Sequence, residues 1–463
     1  MITLAVAPLT AVLEDGSDAL IFTFTRKGST VSPLRINYSV AGTATLGIDY
    51  SGIDGVSTSQ AITFAAGEDT VILTLDSIAD RLIEPDETVS LTLIPDEGYT
   101  VGTTTAVSGT ISDDDSSRLR HSVSTAGDDS FTLIGGSGGT SRLKISLACA
   151  ELDSPCDLAL FTVDDLQGRI NGIDPSDPAY TRVALSKAYN VFSIISNLPQ
   201  GFNPLFGNRV LELNSGDHFR FLLIKNGTLD TTSQQPARSS DVFLSNIRDV
   251  AVSQSSPDQF VLSWKDSLGN GKIRDLRIAI EAIDEPIALG SKFQDNKQGE
   301  VLDLSGVDPV KQVRASFVVN READYNNVVG FYKITDSLGT ITDSLTGSIL
   351  RPGDSGYAHA ALHYRVSGID LRVANQSTET SSSLMQGGSI FAPFIVANGS
   401  PEQILDSNPS NDVLVYFPFI AANSDGIDHI RLLADNTFGF EDLPGGGDLD
   451  YNDMIIAVSF AFM

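Results

Sequence analysis

Near the end of the chain, Phe438 to Asp453 read FGFEDLPGGGDLDYND and run straight into the apolar stretch MIIAVSFAF. Six of these side chains carry oxygens able to ligate a metal, Glu441, Asp442, Asp448, Asp450, Asn452 and Asp453, and they flank a Pro-Gly-Gly-Gly turn. Hard cations such as Ca²⁺ take about 6–8 oxygen ligands in an adaptable cage. The glycines admit positive-φ backbone, and the alternation in DxDxND predicts successive acids pointing the same way, as on one face of a strand. The spacing is not that of an EF-hand loop. The competing reading is a solvated hairpin loop whose Asp and Asn side chains close Asx turns.

A second set of acids lies at turns in the first 115 residues. Segments such as ALIFTFTR, LRINYSV, TVILTLDSI and TVSLTLIP alternate apolar and polar residues and are separated by turn clusters, which predicts a β-sandwich. The turn acids are Glu14, then Asp49, then Asp80, Glu84, Asp86 and Glu87, and finally Asp113, Asp114 and Asp115. GTATLGIDY, ITFAAGEDTVILTL, DRLIEPDETVSLTL and TISDDD, in that order, resemble the Calx-beta module. The resemblance implies an immunoglobulin-like sandwich. It also implies calcium ligation at one end by Glu14, Asp49, Asp80, Glu84, Glu87, Asp113, Asp114 and Asp115, with the Leu82 carbonyl as an extra ligand. Ala79 and Arg81 stand where the best calcium-binding members carry acids, so one or two ions are expected rather than a full cluster.

Residues 116–141, SSRLRHSVSTAGDDSFTLIGGSGGTS, are rich in Gly and Ser and read as a linker with a single strand at SFTLI. Beyond them the chain repeats itself. FTVDDLQGRI from Phe161 matches YKITDSLGTI from Tyr332, Tyr180 and Ala184 match Tyr357 and Ala361, Gly216 and Phe219 match Gly388 and Phe391, and RDLRIAIEAI from Arg274 matches NDMIIAVSFA from Asn452. Two copies of one fold follow, over 142–287 and 288–463. Alternation in FRFLLI, QFVLSW, LVYFPF and MIIAVSF predicts antiparallel sheets with one buried face, so each copy should be a jelly-roll-like sandwich with one short helix, at PAYTRVALSKA or SGYAHAALHYR. The second copy resembles the family known as domain of unknown function 4114, on GYAHAAL, FAPFIVANG and FGFEDLPGGGDLDYNDMIIAV. The first copy has DSLGNGKIRD where the acidic loop should be, with Asp266 and Asp275 as its only acids, and is expected to hold no cation. At the repeat offset Cys149 and Cys156 fall on Asn320 and Asn327, a pair of strands around a polar turn. A hairpin there would set the cysteines opposite each other as a short-range disulfide in an oxidising compartment, or as separate thiols inside a cell.

Composition limits the remaining choices. With 59 Asp and Glu against 30 Lys and Arg, a formal charge of -29 repels nucleic acid and anionic lipid and attracts cations. No apolar run approaches the ~18–20 residues of a membrane span. The opening MITLAVAPLTAVLEDG has neither a basic n-region nor a cleavage site, so an export signal is expected elsewhere or the chain is a fragment. His359 and His363 stand at i, i+4, but Ala360 replaces the Glu of a zincin helix. No GxSxG in a strand-to-helix context and no P-loop occurs, and the carboxylates gather with glycine rather than with aromatics; Trp264 is the single tryptophan. The expectation is an all-β, non-enzymatic, calcium-binding protein of a bacterial cell surface, structural or adhesive, as in a filament or surface layer, associating with itself, with other surface proteins or with glycans. The alternatives are a calcium-dependent carbohydrate-binding module using Phe438, Phe440 and Tyr451, and a polysaccharide hydrolase.

Overall fold

Strands Leu20–Arg26, Leu34–Gly42 and Glu87–Ile94 show how the first unit closes. Leu20, Phe22 and Phe24 of the first, Ile36 and Tyr38 of the second, and Val89, Leu91 and Leu93 of the third are all buried, every second residue facing one core. That core lies between two sheets. One has Leu20–Arg26 between Ile2–Ala7 and Thr70–Ser77, with Tyr50–Ser51 at its edge. The other runs Val12–Leu13, Val107–Ser112, Glu87–Ile94, Leu34–Gly42, Ser59–Phe64, antiparallel except where Val12–Leu13 joins Val107–Ser112. The structure, a computed structural model, describes the whole chain apart from residues 9–10, 15–17, 54–57, 81–83, 114–116, 125, 136–139, 153–154, 226, 235–241, 265–272, 344–346 and 463.

The chain separates into two units, one of Met1–Ser117 with Gly135–Thr140 and the other of Arg118–Ile134 with Ser141–Met463. Both repeat copies lie in the second unit. In the first copy one sheet runs Asn208–Asn214, Thr140–Leu152, Ile273–Ile283, Gln259–Trp264, Val250–Ser256. In the second copy the matching sheet runs Ser377–Gln386, Gln312–Arg321, Met454–Phe462, Thr437–Phe440, Ile430–Ala434, the same order strand for strand. The opposing sheets, of six and four strands among the described residues, share their central pairing, with Cys156–Val163 antiparallel to His218–Lys225 as Val328–Ile334 is to Ile390–Val396. Each copy buries its main core between its two sheets. Beside a second short helix in each copy that was not expected, Leu229–Gln234 and Pro401–Leu405, the two expected helices fall where the pattern placed them, at Tyr180–Lys187 and Tyr357–His363. Each of the expected pair anchors through a buried tyrosine: Tyr180 donates to the Gly168 carbonyl, and Tyr357 donates to the Gly339 carbonyl at 2.6 Å.

Two expectations are corrected. Residues 116–141 contain more than a linker with one strand: Arg118–Val123 and Asp129–Ile134 form an antiparallel pair, and Asp129–Ile134 continues onto His218–Lys225 of the first copy. Leu119, Phe131 and Leu133 enter that copy's core, with Phe131 packed against Phe219, Phe221 and Phe260. Burial of these three side chains outweighs the entropy of the surrounding Ser and Gly residues. Leu119→Ala is therefore expected to lower stability by about 2 kcal/mol in urea unfolding, the low end for a buried leucine because an edge strand can relax; a true linker residue would show no change.

The cysteine hairpin is the other correction. Cys149 lies on Thr140–Leu152 opposite Arg277, while Cys156 opens Cys156–Val163 opposite Ile194 and Lys225, so the two strands belong to different sheets. The connection is a crossover between layers, and the cysteines are not bridged to each other. Burial, reinforced by neighbouring Asp157, pushes the Cys156 thiol well up from its ordinary range, so it behaves as a small apolar residue.

Candidate metal centre

Thr437–Phe440 and Met454–Phe462 are neighbouring antiparallel strands with Phe440 opposite Met454. That register places Glu441 and Asp453 side by side at the mouth of the connecting loop, where the Asp442 amide donates to Asp453 Oδ2 at 2.7 Å. Gly445, Gly446 and Gly447 have φ of 74°, 83° and 50°. Gly447 is also a point of close approach: a Cβ there would lie 2.3 Å from Glu441 Oε1. The DLDYND segment is not the extended strand expected, because Leu449 and Tyr451 take φ of 62° and 57°. The left-handed residues fold the loop back on itself, which a flat strand would not do.

Two groups of carboxylates result. Oxygens of Glu441, Asp448 and Asp450 lie within 4.8 Å of one another, and so do oxygens of Glu441, Asp442 and Asp453. Glu441, Asp442 and Asp450 are buried, at 1%, 2% and 7% exposure, whereas Asp448 faces solvent. Glu441 Oε2 is buried without a hydrogen-bond partner. Burial first, then the charges of Asp453 and Asp448, push the Glu441 carboxyl up to about 9. Burial and Asp442 raise Asp453 to about 7, and burial with Asp448 raises Asp450 to about 6. Burial also raises Asp442, against the hydrogen bond from Asn327. Carboxylates crowded this closely are a liability without a positive charge among them, and an all-oxygen donor set suits a hard divalent cation.

Several supports were not read from the sequence. Asn327 donates to Asp442 Oδ2 at 2.6 Å. Asn197, from the first copy, donates to Asp450 Oδ2 at 3.1 Å. Asn452, expected as a ligand, directs its amide hydrogens to Asp450 Oδ2 at 2.7 Å and to the Asn197 carbonyl at 3.3 Å, and so braces the loop. Buried His429 stacks on Tyr416 and bridges the Glu441 carbonyl, 2.9 Å from Nδ1, to the Asp425 carboxylate, 3.0 Å from Nε2. Asp425 in turn accepts from the Gly445 amide at 2.9 Å. One signal could have found Asn327: it occupies the repeat position of Cys156, in the copy whose loop is not acidic.

Among the first-unit residues expected as ligands, Asp49, Glu84 and Glu87 bring oxygens within 4.8 Å of one another. Burial, a hydrogen bond with Asp49 and the charges of Asp49 and Glu84 push Glu87 up to about 7. Asp80 and Asp113 add to the field that, with burial, raises Glu84. Glu14 Oε1 accepts from the Asp80 amide at 3.1 Å, which fixes the turn. Arg81, Leu82, Asp114 and Asp115 lie outside the described residues, as does Asp266 of the first copy's loop.

The histidine pair and the aromatics weighed in the sequence do not assemble a site among the described residues. His359 and His363 are exposed and stacked with centroids 6.3 Å apart, and neither joins a third ligating side chain among the described residues. Phe438, Phe440 and Tyr451, the aromatics available for sugar stacking, are 0%, 0% and 1% exposed, and Trp264 is likewise buried. These rings face the core, which leaves the carbohydrate-binding alternative without the stacking platform it named. No helix among the described residues is long and apolar enough to cross a membrane.

The loop also lies against the first copy. Tyr451 joins Ile195, Leu433 and Ile455 in an apolar cluster bordered by Phe202. The Arg431 guanidinium sits 4.0 Å above the Tyr451 ring, with Nη1 3.5 Å from Asp157 Oδ1. Arg209 pairs with Asp435 at the same boundary.

No curated protein matches the chain in sequence. Among solved structures, it is similar to one described as the apo-form Calx CBD1 domain, at 24% identity over 25% of this chain and 98% of that one, with a TM-score of 0.21. It is also similar to the calcium binding domain CBD12 of CALX1.1, at 19% identity over 48% and 80%, with a TM-score of 0.22. Residues 385–461, which hold the whole acidic loop and the strands on either side of it, match the family described as "Domain of unknown function (DUF4114)".

Proposed function

We propose that the chain is a calcium-binding, non-catalytic structural or adhesive protein of a bacterial cell surface, with one cation centre in the C-terminal loop and another at the end of the first sandwich. The observation that carries this reading is Glu441, buried at 1% exposure, with an unpartnered carboxylate oxygen among four further acids. The resemblance of residues 1–115 to the Calx-beta module points the same way. Calcium bound at these loops would neutralise part of the -29 charge and fix the sheet ends they close. Multiple sandwiches with stiffened ends suit a filament or surface-layer subunit that associates with copies of itself or with neighbouring surface proteins.

Calorimetric calcium titration of the full chain, beside Asp448→Asn/Asp450→Asn, tests this reading. Wild type should bind at the loop and melt higher with calcium than with chelator, by about 2.7 kcal/mol of stabilisation at a hundredfold excess over Kd. The double variant should bind less calcium at the loop and gain less from it on melting. Identical titrations and identical melting in the two proteins would reduce the loop to a turn and turn attention to protein–protein contacts.

A further inference from the structure

We propose that the C-terminal loop holds two divalent cations bridged by Glu441, an inner one on Glu441, Asp442 and Asp453 and an outer one on Glu441, Asp448 and Asp450, the outer position being set by the first repeat copy through Asn197. This rests on reading the loop as a cation site and specifies how many ions it takes and what orients them.

The argument begins with distances. Calcium sits about 2.3–2.6 Å from its oxygens, so ligands of one ion lie within roughly 5 Å of one another. The five carboxylates satisfy that limit as two trios, not as one set, and Glu441 is the member common to both. A carboxylate has two oxygens, and those of Glu441 differ: Oε1 lies beside Gly447, while Oε2 is buried without a hydrogen-bond donor. Charge leads to the same result. Three of the five acids are less than a tenth exposed, so a single divalent ion would leave three negative charges uncompensated, at least one of them in a buried setting. Two divalent ions bring the centre to within one charge of neutrality.

The two positions have different surroundings. Asp442 and Asp453 are braced within the second copy, by Asn327 and by the Asp442 amide. Asp450 is braced by Asn452 and by Asn197, which lies just beyond strand Ala188–Ile194 of the first copy. Occupation of the outer position therefore depends on a contact between copies, and occupation of the inner one does not.

The test counts calcium bound to the full chain by native mass spectrometry and calorimetry, in wild type and four variants, the first-unit centre being common to all. Relative to wild type, Glu441→Gln should lose two ions, Asp453→Asn the inner one and Asp448→Asn the outer one. Asn197→Ala should keep both ions and weaken only the outer, by about 10-fold or more in Kd, as expected when a bracing partner is removed. Near-ultraviolet circular dichroism in chelator establishes that each variant is folded. If Glu441→Gln, Asp453→Asn and Asp448→Asn all lose the same single ion, the loop is a mononuclear site: the proposed function stands and the bridge falls. If Glu441→Gln loses none, both fall. An Asn197→Ala protein with unchanged affinities overturns the role of the first copy.

Discussion

Raising the pH from about 5 to 9 in the presence of chelator should lower the melting temperature of the chain, and saturating calcium should reverse that trend. The carboxyls of Glu441, Asp453, Asp450 and Glu87 stand at about 9, 7, 6 and 7 in the folded protein, against roughly 4 in an unfolded chain. A raised acid contributes its full stability below the unfolded value, where both states are protonated. As the pH climbs, the unfolded chain ionises first, and the contribution declines until the folded group ionises too, by about 1.4 kcal/mol for each unit between the two values. The window therefore runs from about pH 4 to 9, with Glu441 dominating its upper half. Calcium binds the deprotonated oxygens, so binding must release protons and strengthen with pH up to the Glu441 value. Melting curves across this range, with calorimetry in two buffers of different ionisation enthalpy, measure both effects. The Glu441→Gln variant should lose the alkaline part of the apo decline. Calcium binding without proton release would mean that the acids are already ionised, and the electrostatic account of the centre would fail.

How much of this could be read from residues alone depends on the range over which each feature is determined. The acids and glycines of the C-terminal loop are contiguous, so the gathering of carboxylates there was legible; its shape was not, because the alternation of DLDYND suggests a strand, whereas Leu449 and Tyr451 adopt left-handed backbone. The repeat was legible because core positions preserve their offset through unrelated side chains, and the five-stranded sheets of the two copies agree strand by strand. The strand Arg118–Val123 was not, since Leu119 is its single fully buried apolar residue and one residue makes no period. The cysteines show the limit of local pattern in another way. Their strands were placed correctly, but a hairpin within one sheet and a crossover between two have the same local signature. Asn197 and Asp450 lie 253 residues apart, and no spacing rule reaches that far.

Removing the Arg431 guanidinium by Arg431→Met should destabilise the protein by about 3–5 kcal/mol, the usual result of stranding buried acids. Arg431 is 5% exposed on strand Ile430–Ala434, between the Tyr451 ring and Asp157. Around it, Asp157, Asp230, Glu300 and Asp428 are all buried, with Lys225 and Lys297 as the other nearby cations. Asp157 is held by the Ser193 hydroxyl and the Leu229 amide, so it cannot turn away when its cation is lost. Burial raises Asp428 to about 7 even with Arg431 lowering it, and burial raises Asp230 and Glu300 as well. Without the arginine these acids fold more readily in protonated form, so the loss should be greater at pH 8 than at pH 6. Urea unfolding at the two pH values measures the difference. Adding Asp157→Asn to Arg431→Met should recover part of the stability, because it removes one of the acids that the lost arginine leaves stranded. The single variant should also weaken calcium at the outer position, since Tyr451, between Asp450 and Asn452, loses the cation above its ring. A loss below about 1 kcal/mol would place Arg431 in the class of screened surface pairs and would mean that apolar packing of Ile195, Leu433 and Ile455 holds the two copies together without it.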